Sequence, residues 1–88
     1  MIENFYVKDE IIEIISDFES THECNSPAYI ICRDYDRHLV MTLRFLNNGP
    51  TFQIVYKDEV LKSSDEVTSS NVSDLYDKFK SSLIKMEV

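Results

Sequence analysis

His38-Leu39-Val40-Met41-Thr42-Leu43-Arg44-Phe45-Leu46-Asn47-Asn48-Gly49-Pro50-Thr51-Phe52-Gln53-Ile54-Val55-Tyr56-Lys57 is the stretch that decides the fold. Leu39, Met41, Leu43 and Phe45 recur every second residue, and so do Phe52, Ile54 and Tyr56. A period of two is the signature of a strand with one face buried. Asn47-Asn48-Gly49-Pro50 between the two runs is the strongest turn signal in the chain, because Asn and Gly tolerate positive φ. The stretch therefore predicts a β-hairpin over 38–57.

Outward from the hairpin, Ala28–Arg33 is a short apolar run after Pro27 and predicts a preceding strand, with Asp34-Tyr35-Asp36-Arg37 as the turn into the next. Val60-Leu61-Lys62 either extends the last strand past a bulge at Asp58-Glu59 or forms a short fourth strand. Residues 63–71 are rich in Ser, Thr, Asp and Glu and read as a loop. The two ends change period. Val7, Ile11, Ile14, Ile15 and Phe18 make one stripe of a helix over 8–20, with Ile12 at its edge. Val72, Leu75, Tyr76, Phe79, Leu83 and Met86 make the stripe of a closing helix, with Asn71 as its cap and Asp74 in a capping-box position. The expected fold is a single α+β domain over 1–88. Its order is α-β-β-β-α, with a three-stranded (or four-stranded) antiparallel meander and both helices packed on one face.

The 88 residues leave room for one core, and 43 % hydrophobic content suffices to fill it. No apolar run reaches the roughly 20 residues that span a bilayer. Met1-Ile2-Glu3-Asn4 lacks the basic start of a signal peptide, so a cytoplasmic location is expected, and the host cytoplasm for a phage-encoded chain. Cys24 and Cys32 then read as reduced thiols, and Asn71-Val72-Ser73 as a sequon without consequence.

The formal charge of −7 is unevenly spread. Residues 1–23 hold Glu3, Asp9, Glu10, Glu13, Asp17, Glu19 and Glu23 against Lys8 alone, whereas residues 24–88 carry nine acids and eight bases. At 3.6 residues per turn, Asp9, Glu13, Asp17 and Glu10 fall within an arc of about 100° on the side away from the apolar stripe. Asp9–Glu13 and Glu13–Asp17 are like-charge pairs four apart, each costing a few tenths of a kcal/mol. Asp17 and Glu19 also approach the negative end of the helix dipole, and no base follows in the last turn. The closing helix does the opposite: Asp74 and Asp77 come early, Lys78, Lys80 and Lys85 late. A helix that breaks local charge rules without local gain reads as a partner-facing surface, the alternative being a merely solvated acidic face. Such a surface repels nucleic acid and attracts a basic protein groove. Asp9 to Asp17 spans about 12 Å, over which duplex DNA carries roughly seven charges. The arc alone is therefore too sparse a mimic. Glu23 and the second acidic group, Asp58, Glu59, Asp65 and Glu66, are the candidates to extend it, and Tyr35, between Asp34 and Asp36, is a candidate exposed contact.

Other chemistry finds little footing. His22, Cys24, Cys32 and His38 do not follow the paired spacing of zinc sites, so no metal is expected. No orienting residue or oxyanion loop accompanies a thiol–His pair, and a single glycine excludes a phosphate-cradling loop. The expectation is a protein that is not an enzyme and uses no cofactor.

The α-β-β-β-α order resembles the double-stranded-RNA-binding domain in topology. That family reads phosphates with lysines at the start of its last helix. Here the start is Asn71-Val72-Ser73-Asp74-Leu75-Tyr76-Asp77, so direct nucleic-acid binding is not expected. Size, the acidic run Asp9-Glu10-Ile11-Ile12-Glu13, the meander and the closing helix together resemble small phage-encoded acidic inhibitors, anti-CRISPR proteins among them. The resemblance implies an acidic protein, a nucleic-acid mimic, that blocks a CRISPR effector nuclease or another defence factor through protein–protein interaction. An immunity protein or antitoxin neutralising a basic toxin, or a small cytosolic adaptor, are the alternative readings. A monomer, or a dimer through an open sheet edge, fits either.

Overall fold

In the computed structural model, which describes residues 1–88, the chain runs β1 (Ile2–Asn4), α1 (Lys8–Thr21), β2 (Ala28–Asp34), β3 (Leu39–Leu46), β4 (Gly49–Tyr56), β5 (Glu59–Ser63) and α2 (Val72–Lys85). The fold is α+β as expected. The sheet has five strands rather than three or four, in the sequential order β1-β2-β3-β4-β5, with every neighbour antiparallel.

One correction and one open alternative, the short fourth strand at Val60-Leu61-Lys62, account for the added strands. The first is β1, three residues paired through Ile2 with Asp34, Glu3 with Arg33 and Asn4 with Cys32. It is too short for any period to show. The second is β5. Lys57 and Asp58 both take positive φ, 45° and 70°, and form a two-residue turn that folds β5 back along β4. The irregularity falls between Ile54 and Val55 on β4, opposite Leu61, not at Asp58-Glu59. A turn of this hand ordinarily carries Asn or Gly, so Lys-Asp gave no signal. In the β3–β4 hairpin, Leu46 pairs with Gly49, leaving Asn47-Asn48 as the turn. The left-handed residue there is Gly49, with φ 108°.

The alternation works as anticipated on one face. Leu39, Met41, Leu43, Phe52 and Ile54 are wholly buried with Ile11 and Ile15 of α1 and Tyr76, Phe79 and Leu83 of α2. Both helices thus cover the same side of the sheet. A bulge between Ile30 and Cys32 turns Ile31 inward as well, and its carbonyl accepts the N–H groups of Phe5 and Tyr6, anchoring the β1–α1 connection.

The helix ends depart from the capping read in the sequence. At α1, the Glu10 carboxylate accepts the Val7 N–H at 2.9 Å, and His22, at φ 57°, closes the helix one residue later than expected. At α2, Asn71 occupies the N-cap position, but its side chain makes no capping hydrogen bond and no box forms with Asp74. Its Oδ1 accepts from the Thr68 N–H at 2.7 Å and its Nδ2 donates to the Glu66 carbonyl at 3.0 Å. Asn71 therefore braces the preceding turn, whose Thr68 carbonyl receives the Val72 N–H.

Candidate functional site, the acidic face of the first helix

Ile11 and Ile15 point α1 into the core, and that fixes where the carboxylates go. Asp9, Glu10, Glu13 and Asp17 are all exposed. None forms an ion pair within the chain. Lys8, the one base of this segment, is drawn to the other helix, where its Nζ lies 2.8 Å from Asp77. That contact raises the Lys8 pKa, chiefly through the hydrogen bond to Asp77. Glu10 has a structural duty at the helix start, leaving Asp9, Glu13 and Asp17 without an internal partner.

The remaining candidates divide into three places. Glu19 reaches across to the loop before α2, where it accepts the Ser69 N–H at 3.0 Å. This hydrogen bond holds its carboxyl below the usual range. Glu66 shares a shallow depression of about 350 Å³ with Glu19, His22 and Thr68, and so joins the acidic face at the end of α1. Glu23 borders a second depression with Asp17, Cys24 and Tyr29. Asp65 is exposed beside Glu66. Asp58 and Glu59 lie at the β4–β5 hairpin, away from α1, and Asp58 lines the sheet face that the helices leave open. Tyr35 is exposed at the β2–β3 turn, but its hydroxyl donates to Glu3 at 2.7 Å, which pushes its pKa up. The structure thus gathers Asp9, Glu10, Glu13, Asp17, Glu19, Glu23 and Glu66 around α1, and sets Asp58, Glu59 and Tyr35 apart from them.

Four further residues, His22, Cys24, Cys32 and His38, carry groups suited to metal or thiol chemistry. Cys24 is exposed and Cys32 buried, both as free thiols. Burial pushes the Cys32 thiol up, away from the reactive thiolate. His22 and His38 occupy left-handed turn positions. No group of three or more His, Cys, Asp or Glu side chains is placed to hold a metal ion. No helix is long and apolar enough to cross a membrane.

One polar cluster had no clear sequence signal. Asp34 is buried at the end of β2 and accepts from the Arg37 Nε at 2.5 Å and from the backbone N–H groups of Asp36 and Arg37. Arg37 Nη1 in turn donates to the carbonyls of Ile84 and Met86, closing the end of α2. The N-terminal amine adds an ion pair with Asp36. This cluster fastens both chain ends to the β2–β3 turn, and its polar groups are occupied.

The fold and this face define a class: a small α+β meander domain that sets an unpaired acidic helix face on one side of its sheet. Comparison with protein-family models, with curated proteins and with solved structures finds no match.

Proposed function

We propose that this chain is a non-enzymatic, acidic protein-binding inhibitor. It lays the α1 face on the basic, nucleic-acid-binding surface of another protein and keeps nucleic acid off it. The observation that carries the reading is the set Asp9, Glu13 and Asp17, exposed on one arc with no partner of their own. Carboxylates kept free at a cost to their own helix form bidentate pairs with arginines. Glu19, Glu23 and Glu66 extend the surface toward the far end of α1. A CRISPR effector nuclease, or another defence factor with a basic groove, is the partner class to which the inhibitor resemblance leads.

The test is competition. Purified nucleic-acid-binding nucleases are titrated with the chain in the presence and absence of duplex DNA. Expected are mutually exclusive binding, a steep loss of affinity with salt, and at least a hundredfold weakening in the triple variant Asp9→Lys, Glu13→Lys, Asp17→Lys. Binding that the triple variant leaves unchanged, or a ternary complex with DNA, overturns the reading.

A further inference from the structure

Both helices cover one face of the sheet, and the other is left bare. Its residues form registered rows. Glu3, Arg33, Val40, Val55 and Val60 are successive cross-strand partners from β1 to β5, and Ile30, Thr42, Gln53 and Ser63 form the next row. Two adjoining depressions of about 340 and 450 Å³ run over this face and share Arg33, Val40, Val55 and Asp58. Ile30 and Val60 are 38 % and 49 % exposed. Polar capacity there is unused. Thr42 is only 7 % exposed, yet its Oγ1 has no hydrogen-bond partner in the chain, and neither has the buried Nε of Arg33. The Arg33 guanidinium rests over the Tyr35 ring without a carboxylate partner.

We propose that this face is the interface of a twofold dimer, in which two copies pack sheet on sheet with Val40 and Val55 at the centre and Arg33 of each copy against Asp58 of the other. Charge selects the second copy as occupant. The chain carries −7, so most approaches of two copies are repulsive. The bare face is the exception: it presents Arg33 and Arg44 with Asp58 and Glu3, a near-balanced set. Face-to-face packing also sends the acidic helices outward. With about 10 Å between sheets and about 10 Å from each sheet to its helices, the two α1 axes end roughly 30 Å apart, several times the Debye length of about 8 Å at physiological salt.

The register favours the same pairing. Arg33 and Val60 stand three strands apart, about 14 Å. An axis along the strands, between Val40 and Val55, exchanges those two positions. It sets Arg33 of one copy over the β4–β5 hairpin of the other, where Asp58 stands, and does so twice by symmetry. The rows span about 19 by 20 Å, so two copies bury on the order of 1,000 Å², the lower end of specific interfaces. The dimer is independent of the inhibitor reading, since its residues lie on the face opposite α1.

Sedimentation equilibrium of the intact chain from 1 to 500 µM tests the proposal. Concentration-dependent dimerisation is expected. Val55→Lys, Arg33→Asp and Asp58→Arg each raise the dissociation constant tenfold or more, and the double reversal Arg33→Asp with Asp58→Arg restores it. Far-UV circular dichroism confirms that each variant is folded, and the double reversal separates contact from misfolding. Glu13→Lys leaves the dimer unchanged. A chain that is monomeric throughout, a dimer that both single reversals leave intact, or one that Glu13→Lys disrupts by breaking a helix-on-sheet contact overturns the proposal.

Discussion

Asp34 shows how one buried carboxylate organises a chain end. Its hydrogen bond from Arg37 is the main reason its carboxyl lies below the usual range, and burial opposes that shift. A carboxyl depressed on folding contributes stability that is present above its unfolded pKa and lost as pH falls through the folded value. Thermal melts should therefore be flat on this account above about pH 5 and fall below about pH 4. Arg37→Met should melt lower at neutral pH and show a shallower acid limb. An acid limb identical to that of the parent would refute the assignment. Backbone conformation provides a second test at this scale. A Cβ on Gly49 would meet the Glu66 carboxylate, at a φ that L-residues avoid, so Gly49→Ala should lower the melting midpoint. Lys57 holds positive φ without being Gly or Asn. Lys57→Asn should raise stability by roughly 0.5–1 kcal/mol in urea unfolding, because Asn tolerates the left-handed region better.

Among the elements, α1 sets stability against the proposed binding. Asp17 follows Glu13 by one helical turn and sits toward the negative end of the dipole. Asp17→Lys replaces a like-charge pair with a Glu–Lys pair in the favourable order, and should stabilise the fold by a few tenths of a kcal/mol. The same change should weaken binding to a basic partner. A variant both less stable and equally well bound would show that the arc is only a solvated face. The elements also differ in how far they could be read. Long periodic segments, 39–46, 51–56, 72–85 and 8–21, were legible because burial imposes a period on at least four apolar side chains or on both strands of a hairpin. β1 was not, since Ile2 is its only inward apolar residue, and β5 was legible only as one of two readings, since its turn lacks Gly and its side chains are mostly exposed at the sheet edge. The acidic arc was legible from helical geometry alone. That Glu19 is engaged by Ser69 depends on a contact 50 residues apart in sequence, and that Asp58 lines the open sheet face with Arg33 depends on the strand order, neither of which a local pattern encodes. The core itself is small. Phe52 is fully buried with its ring near Phe79 and Tyr76, and Phe52→Ala should cost about 3–5 kcal/mol in chemical unfolding. That is a large part of what a domain of this size possesses.

At the scale of the whole molecule, ionic strength separates the two surfaces. The longest dimension is 37 Å. At 0.01 M salt the Debye length is about 30 Å, so nearly every carboxylate acts on every other. At 0.15 M it is about 8 Å, shorter than the separation between α1 and the open sheet face. Raising salt across this range should therefore raise the melting midpoint, because the excess negative charge repels itself less. The same change should weaken attachment of α1 to a basic protein, whose attraction is screened as well. Self-association through the open face should respond in the opposite sense to partner binding. Its centre is apolar, and the long-range repulsion between two chains of −7 is what salt removes first. Thermal melts, partner titration and sedimentation over one salt series measure all three. If dimerisation weakens as steeply as partner binding when salt rises, the contact between copies is dominated by charge rather than by the apolar Val40–Val55 centre, and the division of labour between α1 and the open sheet face is wrong.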